Sequence, residues 1–238
     1  MNEDGLRMAR WCAQLLHRPD RKPDVPELVA RLLAVQAQNL PAAQLAVRAR
    51  TRELTAAAVD EAIADRSVVR SWGPRGTLHL VTADDLTWLV PLFGPSRVTG
   101  SLRRLAQEGV TGSEPDLLHA VTTALSGQGP LTKTALGDRL ATVGVRAAGQ
   151  GIVHLSALGA FHGRVVHGPE QGGKPTYVHA ADWLGKEIRF EPDAGRALAA
   201  LARRYLQTRG PAGPADLASW SGLPLRDARA AFAGIAGE

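Results

Sequence analysis

The sequence predicts a mainly α chain of the α+β class, and three observations carry that expectation. Apolar residues recur at helical spacing through most of the 238 residues. Twice the period shortens into paired β-favouring runs around glycine- and proline-rich turns, at Val68–Trp72 with Thr77–Val81 and at Arg164–His167 with Thr176–His179. The order then repeats: the turns Gly129-Pro130-Leu131 and Gly210-Pro211-Ala212 occupy equivalent places, at a spacing of roughly 80 residues that suits whole domains rather than a solenoid. Helices followed by a short hairpin compose a winged helix. The expectation is therefore tandem winged-helix domains with short β-hairpin wings over 1–112, 113–190 and 191–238. The third stops before any wing, as a fragment of a longer protein would.

Each element follows from local chemistry. Met1 to His17 places Leu6, Ala9, Cys12, Ala13 and Leu16 on one helical stripe, which Pro19, Pro23 and Pro26 interrupt. Glu27 to about Gln38 is a second helix, opened by Pro26 and closed before Pro41, because a residue preceding proline avoids helical geometry. Thr55–Asp65 is a third, and the first hairpin turns at Gly73-Pro74-Arg75-Gly76 before Ala83–Phe93 returns to helix. Helices then cover Asp116–Ser126, Thr132–Val143 and Gly149–Phe161. After the second hairpin come Ala194–Thr208, Ala215–Ser221 and Pro224–Ile235, the last two joined at Gly222 like a helix-turn-helix.

Composition narrows the function. A 45% hydrophobic content supports a real core, while 21% charged residues without low-complexity runs argue against wholesale disorder. The net charge is +5 and the lysines are Lys22, Lys133, Lys174 and Lys186, so arginine carries most of the positive charge. Its planar fork suits phosphate and guanine edges, which favours a nucleic-acid partner. The lone Cys12 excludes an internal disulfide framework and is expected as a small buried side chain. Neither a signal peptide nor an apolar stretch of membrane-spanning length is visible, so a cytoplasmic protein with no membrane partner is expected.

Several enzyme classes fall away. Gly168 to Pro175 imitates a phosphate-binding loop as far as Lys174, but Pro175 stands where a magnesium-binding Ser or Thr belongs, and the segment joins two strands. The seven histidines form no zinc pattern, and Ser156 lacks the flanking glycines of a nucleophile elbow. Neither metal nor organic cofactor is expected. What stands out is Val35-Gln36-Ala37-Gln38-Asn39, with three amides at the end of an apolar helix. On a continuing helix Gln36 and Gln38 would point apart. If the last turn unwinds before Pro41, both can converge on one small polar object such as a water. The plainer alternative is that they satisfy helix-end carbonyls or face solvent.

A resemblance shifts that balance. Leu33-Ala34-Val35-Gln36-Ala37-Gln38, followed by Ser71-Trp72-Gly73-Pro74-Arg75-Gly76-Thr77-Leu78-His79-Leu80-Val81, resembles the AlkZ-like family of winged-helix DNA glycosylases. The Arg-Gly-Thr-Leu-His stretch is the more distinctive mark, and Gln38 sides with the Gln-x-Gln branch rather than the branch with aspartate at that position. The resemblance implies a monofunctional glycosylase that hydrolyses alkylated purines in double-stranded DNA, acting as a monomer. Gln36 and Gln38 would be its catalytic pair. An amide orients water but has little basicity, so the pair suffices only when the leaving base is already cationic, as an N7- or N3-alkylpurine is. Arg75, Thr77 and His79 on or beside the first hairpin, Trp72 as a stacking ring, and Arg48 and Arg50 on phosphates are the candidate DNA-binding residues. The alternative is a non-catalytic winged-helix transcription regulator that reads bases through Leu217–Phe232.

Overall fold

The computed structural model describes residues 2–17 and 23–237. Helices dominate and short antiparallel strands complete an α+β architecture, as the sequence predicts. The contacts divide the chain into two compact units. One comprises Met1–Val68, Gly73–Thr82 and Glu191–Glu238, and the other Val69–Trp72 and Ala83–Phe190.

The first unit opens with α1 (Glu3–Ala13), whose N-terminus is capped by the Asn2 side chain accepting from Gly5 N at 2.9 Å. Cys12 is exposed, contrary to expectation, because none of the residues of this helix is buried, and Trp11 and Met8 lie outside as well. Asp24 caps α2 (Val25–Leu32) by accepting from Glu27 N at 2.7 Å, with a proline in the first turn. This helix ends at Leu32 rather than Gln38. Leu33 adopts φ +71° and turns the backbone out of the helix, so Val35–Gln36 forms strand β1. A new helix, α3 (Leu40–Arg48), starts at Asn39, whose side chain accepts from Ala42 N at 2.9 Å. Pro41 therefore sits in a first turn, where it has no intrahelical donor to lose, instead of marking a helix end. Then follow α4 (Ala56–Ala64), capped by Thr55, and β2 (Val68–Trp72), within which the chain leaves this unit. It returns through a short helical turn at Pro74–Gly76 and β3 (Leu78–Thr82).

In the second unit α5 (Leu86–Phe93) runs through Gly94 into α6 (Pro95–Gln107), a helix the sequence reading did not anticipate. Then come α7 (Glu114–Leu125), β4 (Leu131–Thr132), α8 (Lys133–Thr142) and α9 (Gly149–Phe161). Strands β5 (Val165–Gln171) and β6 (Lys174–His179) form a hairpin whose turn carries Gly172 and Gly173 at φ +57° and +71°. Positive φ at two successive turn residues is what a tight hairpin demands, so the lysine-bearing loop is a hairpin tip. In sheet order β2, β5, β6 and β4 pair antiparallel. The core gathers Leu105, Leu125, Leu136, Leu140, Leu155 and Leu158. The short α10 (Ala180–Leu184) closes this stretch.

The chain then completes the first unit with α11 (Ala194–Arg209), α12 (Pro214–Ser221) and α13 (Leu225–Ala233). Gly222 at φ +74° makes the turn between the last two, as expected of a helix-turn-helix. α11 packs against α1, α2 and α13, and the core of this unit includes Leu28, Val29, Leu32, Val47, Ile63 and Leu80. Among the described residues no helix is long and apolar enough to cross a membrane, and no group of three or more His, Cys, Asp or Glu is placed to hold a metal.

Candidate active site

Strand alternation arranges the two glutamines. In an extended chain successive side chains face opposite ways, and Val35 and Ala37 are buried beside Leu78 and Leu80. Gln36 accordingly takes the other face, and both it and Gln38, at the bend just past the strand, are exposed. β1 pairs antiparallel with β3, with Val35 opposite Leu80 and Gln36 opposite His79. Directly opposed residues of an antiparallel pair lie on the same face, so Gln36 and His79 are cross-strand neighbours. Beyond them Ala37 N donates to Leu78 O at 2.7 Å, and Leu78 N donates to Gln38 Oε1 at 2.9 Å. Gln36 thus lies on a strand and Gln38 at the bend just beyond it, where the sequence reading placed both at an unwound helix end. A main-chain donor fixes the amide of Gln38.

His79 is 2% exposed and its Nδ1 lies 2.9 Å from the carbonyl oxygen of Thr77. A carbonyl only accepts, so the proton of the neutral ring sits on Nδ1 and Nε2 carries the lone pair. Burial pulls the His79 pKa from 6.5 to about 4. The charges of Arg75 and Arg209 push it the same way, and the bond to Thr77 opposes them. The imidazole beside Gln36 is therefore neutral at pH 7. Thr77 uses its own hydroxyl locally, donating to Pro74 O at 3.2 Å across the turn.

Arginines surround this face. A pocket of about 150 Å³ beside Gln36 is lined by Gln14, Gln36, Arg50, Thr208 and Arg209 among others. Arg50 donates from Nε to Gln14 O at 2.9 Å and from Nη1 to Ala46 O at 2.6 Å. Arg209 donates from Nη1 to Leu32 O at 3.3 Å and to Thr208 Oγ1 at 2.8 Å, and its guanidinium lies 4.4 Å from the centre of the Trp220 ring. Burial lowers the pKa of both; for Arg209, at about 10, the positive charges of Arg50 and Arg75 add to the effect while Tyr205 opposes it. Both remain cations at neutral pH. Arg75 is exposed and donates to Trp220 O at 2.5 Å, which fastens the turn before β3 to α12.

Of the expected site residues, Gln36, Gln38, Arg50, Arg75, Thr77 and His79 all belong to the first unit. Gln36 and Arg50 share the pocket, and Gln36 and His79 share a ladder rung. Arg48 is exposed and binds the carbonyls of Arg52 and Leu54 at 2.7 and 3.3 Å, holding the loop after α3. Trp72 lies in the second unit, half-buried, packing edge-on to Phe161 with ring centres 6.5 Å apart and against His167 at 5.0 Å. The sequence reading missed Arg209. It lies more than 170 residues from Gln36, at the end of a helix, and no motif marks it.

The chain is similar to known proteins. A solved structure, the Streptomyces sahachiroi DNA glycosylase AlkZ, superposes with a TM-score of 0.74 at 25% identity, covering 95% of this chain and 63% of that one. The interstrand DNA cross-link repair glycosylase of Streptomyces sahachiroi is 29% identical over 217 residues, which is 86% of this chain and 57% of the relative. The chain thus spans less than two thirds of the length of the relatives it matches. Residues 29–238 match the family described as DNA glycosylase AlkZ-like, and the chain belongs to that family.

Proposed function

We propose that the protein is a monofunctional DNA glycosylase that hydrolyses the N-glycosidic bond of cationic alkylated purines, N7- or N3-substituted, in double-stranded DNA. The family and the cross-link repair activity in its relative's name support the reaction class, and they extend the substrate to purines joined in a cross-link. The observation that carries the reading is Gln36 paired across the strands with a neutral His79, with Gln38, also exposed, two residues on and held by Leu78 N. Two exposed amides can hold a water by donating and accepting, but neither can take its proton early in the reaction. The bond must therefore break largely by itself, which a positively charged leaving base permits and an uncharged one does not. The protein acts as a monomer in the cytoplasm and is built of winged-helix modules, with Arg48, Arg50, Arg75 and Thr77 of the first unit toward the DNA.

The test incubates the protein with duplex containing N7-methylguanine, beside the Gln36→Ala/Gln38→Ala double variant, scoring released base and DNA binding on the same samples. The parent should release base, and the variant should be slower by about 10²-fold or more, a usual size for a lost water-positioning group, with binding changed little. No release by the parent, or equal release by both, would remove the pair from catalysis. Efficient excision of uracil by the parent would remove the cationic-base requirement. The α12–Gly222–α13 helix pair supports a second reading, DNA binding without chemistry. Equal affinity for damaged and intact duplex with no released base would favour it.

A further inference from the structure

Taking positive charge out of water without an anion is costly, and Arg50 and Arg209 bring two half-buried charges to one pocket. Their protein partners are main-chain carbonyls, the Thr208 hydroxyl and aromatic rings; among the described residues neither guanidinium meets a carboxylate. No Asp or Glu lines the pocket among those residues. The carbonyl bonds occupy Nε and Nη1 of Arg50 and Nη1 of Arg209, while Nη2 of each has no protein acceptor among the described residues. Two restrained guanidiniums with donors to spare form an anion site.

We propose that the Arg50–Arg209 pocket holds one backbone phosphate of the strand that carries the leaving base, seated beside Gln36. This rests on the glycosylase reading of Gln36 and Gln38. Planar guanidiniums match phosphate oxygens in paired hydrogen bonds, and every nucleotide brings a phosphate to within a sugar's width of its glycosidic bond. Electrostatics requires the same occupant. Positive charge grows on the sugar as the base departs, and two uncompensated arginines nearby would oppose it. A seated phosphate reverses the local sign, so the DNA supplies the negative charge that the amide pair lacks. Arg209 is thus a positioning residue, and its own ties to Leu32 O and Trp220 set its guanidinium before DNA arrives.

The test measures binding to a duplex carrying an abasic-site analogue, which needs no base release, with each phosphate near the analogue replaced in turn by an uncharged methylphosphonate. For the intact protein one position should stand out, with binding weakened by roughly tenfold or more, the size of a lost charge-assisted contact. With Arg209→Met or Arg50→Met the same replacement should cost little, because the contact is already gone, and the salt slope should fall by about one. If every position is equally tolerant in the intact protein, or if the variants lose as much as the parent at the sensitive position, the assignment is overturned. The first arm uses no variant, so a misfolded one cannot obscure it. A sensitive phosphate in a protein that releases no base would keep this site and reject the glycosylase. Base release without any sensitive phosphate would do the reverse.

Discussion

Burial holds His79 neutral, and that state has a measurable signature. Its unfolded pKa is near 6.5 and its folded value about 4, so between those pH values the unfolded chain binds the extra proton. Stability is then fully present above pH 6.5 and falls as the pH drops toward 4, by roughly 3 kcal/mol for a shift of this size. In His79→Gln this part of the loss should disappear, which leaves the comparable part that His167 contributes over the same pH range. Urea unfolding of both proteins at about pH 7 and about pH 4.5 checks it, and an unchanged pH dependence in the variant would show that His79 is not the titrating group. His167 in the second unit, driven down to about 3 by burial and by Arg70, leaves a residual slope in both. The proposed reaction has a pH signature of its own. Glutamines do not titrate, so base release should be level from about pH 6.5 to 9 and lack the acid limb that an essential carboxylate base would produce. Sequence revealed the residue types of this site clearly. It could not reveal the tautomer of His79, which depends on a carbonyl two residues away facing back toward the ring.

Element boundaries show where local pattern and tertiary demand part company. The run from Leu28 to Gln38 satisfies a helical period for its first half and a strand period for its second. Only Leu33 at φ +71° decides where one becomes the other, and the preferences of leucine give no warning of a left-handed backbone. The break is supported from outside the segment: Arg204 donates to Ala30 O and Arg209 to Leu32 O, so α11 satisfies carbonyls that the end of α2 leaves unpaired. The α5–α6 junction gives a sharper test of packing. A Cβ on Gly94 would stand 2.2 Å from Phe161 O and 2.8 Å from Val90 O, both main-chain atoms that cannot rotate aside. Gly100 sits on α6 with nothing within 4 Å of the same position. Gly94→Ala should therefore destabilise by about 3 kcal/mol, whereas Gly100→Ala should stabilise by about 0.5–1 kcal/mol through lower backbone entropy in the unfolded chain. Matched urea curves decide the pair. Equal effects would mean the α5–α6 turn relaxes freely.

At the scale of the whole molecule, chain order and spatial order differ. The three successive modules suggested by sequence come from repeated helix-and-turn patterns, and such patterns carry no information about which distant helix covers which. The contacts place residues 191–238 in the same compact unit as the Gln-x-Gln strand. There α11 packs on α1 and α2, Arg209 lines the pocket beside Gln36, and the Trp220 carbonyl receives Arg75 from the turn before β3. A chain ending at Phe190 would therefore lose apolar cover from α2 and three of the ties that shape the site, although it keeps both glutamines. We expect that truncation to abolish base release and to strip hydrogen-exchange protection from α2 and α3, whose core contacts lie in the first unit. Protection in α9 should persist, since its packing partners α6, α7, α8 and β5 are all retained. Hydrogen exchange with base release measured on the same preparation separates the cases. Full activity in the truncated chain would show that the strand pair holds its geometry without α11, and the phosphate pocket would then have no part in the reaction.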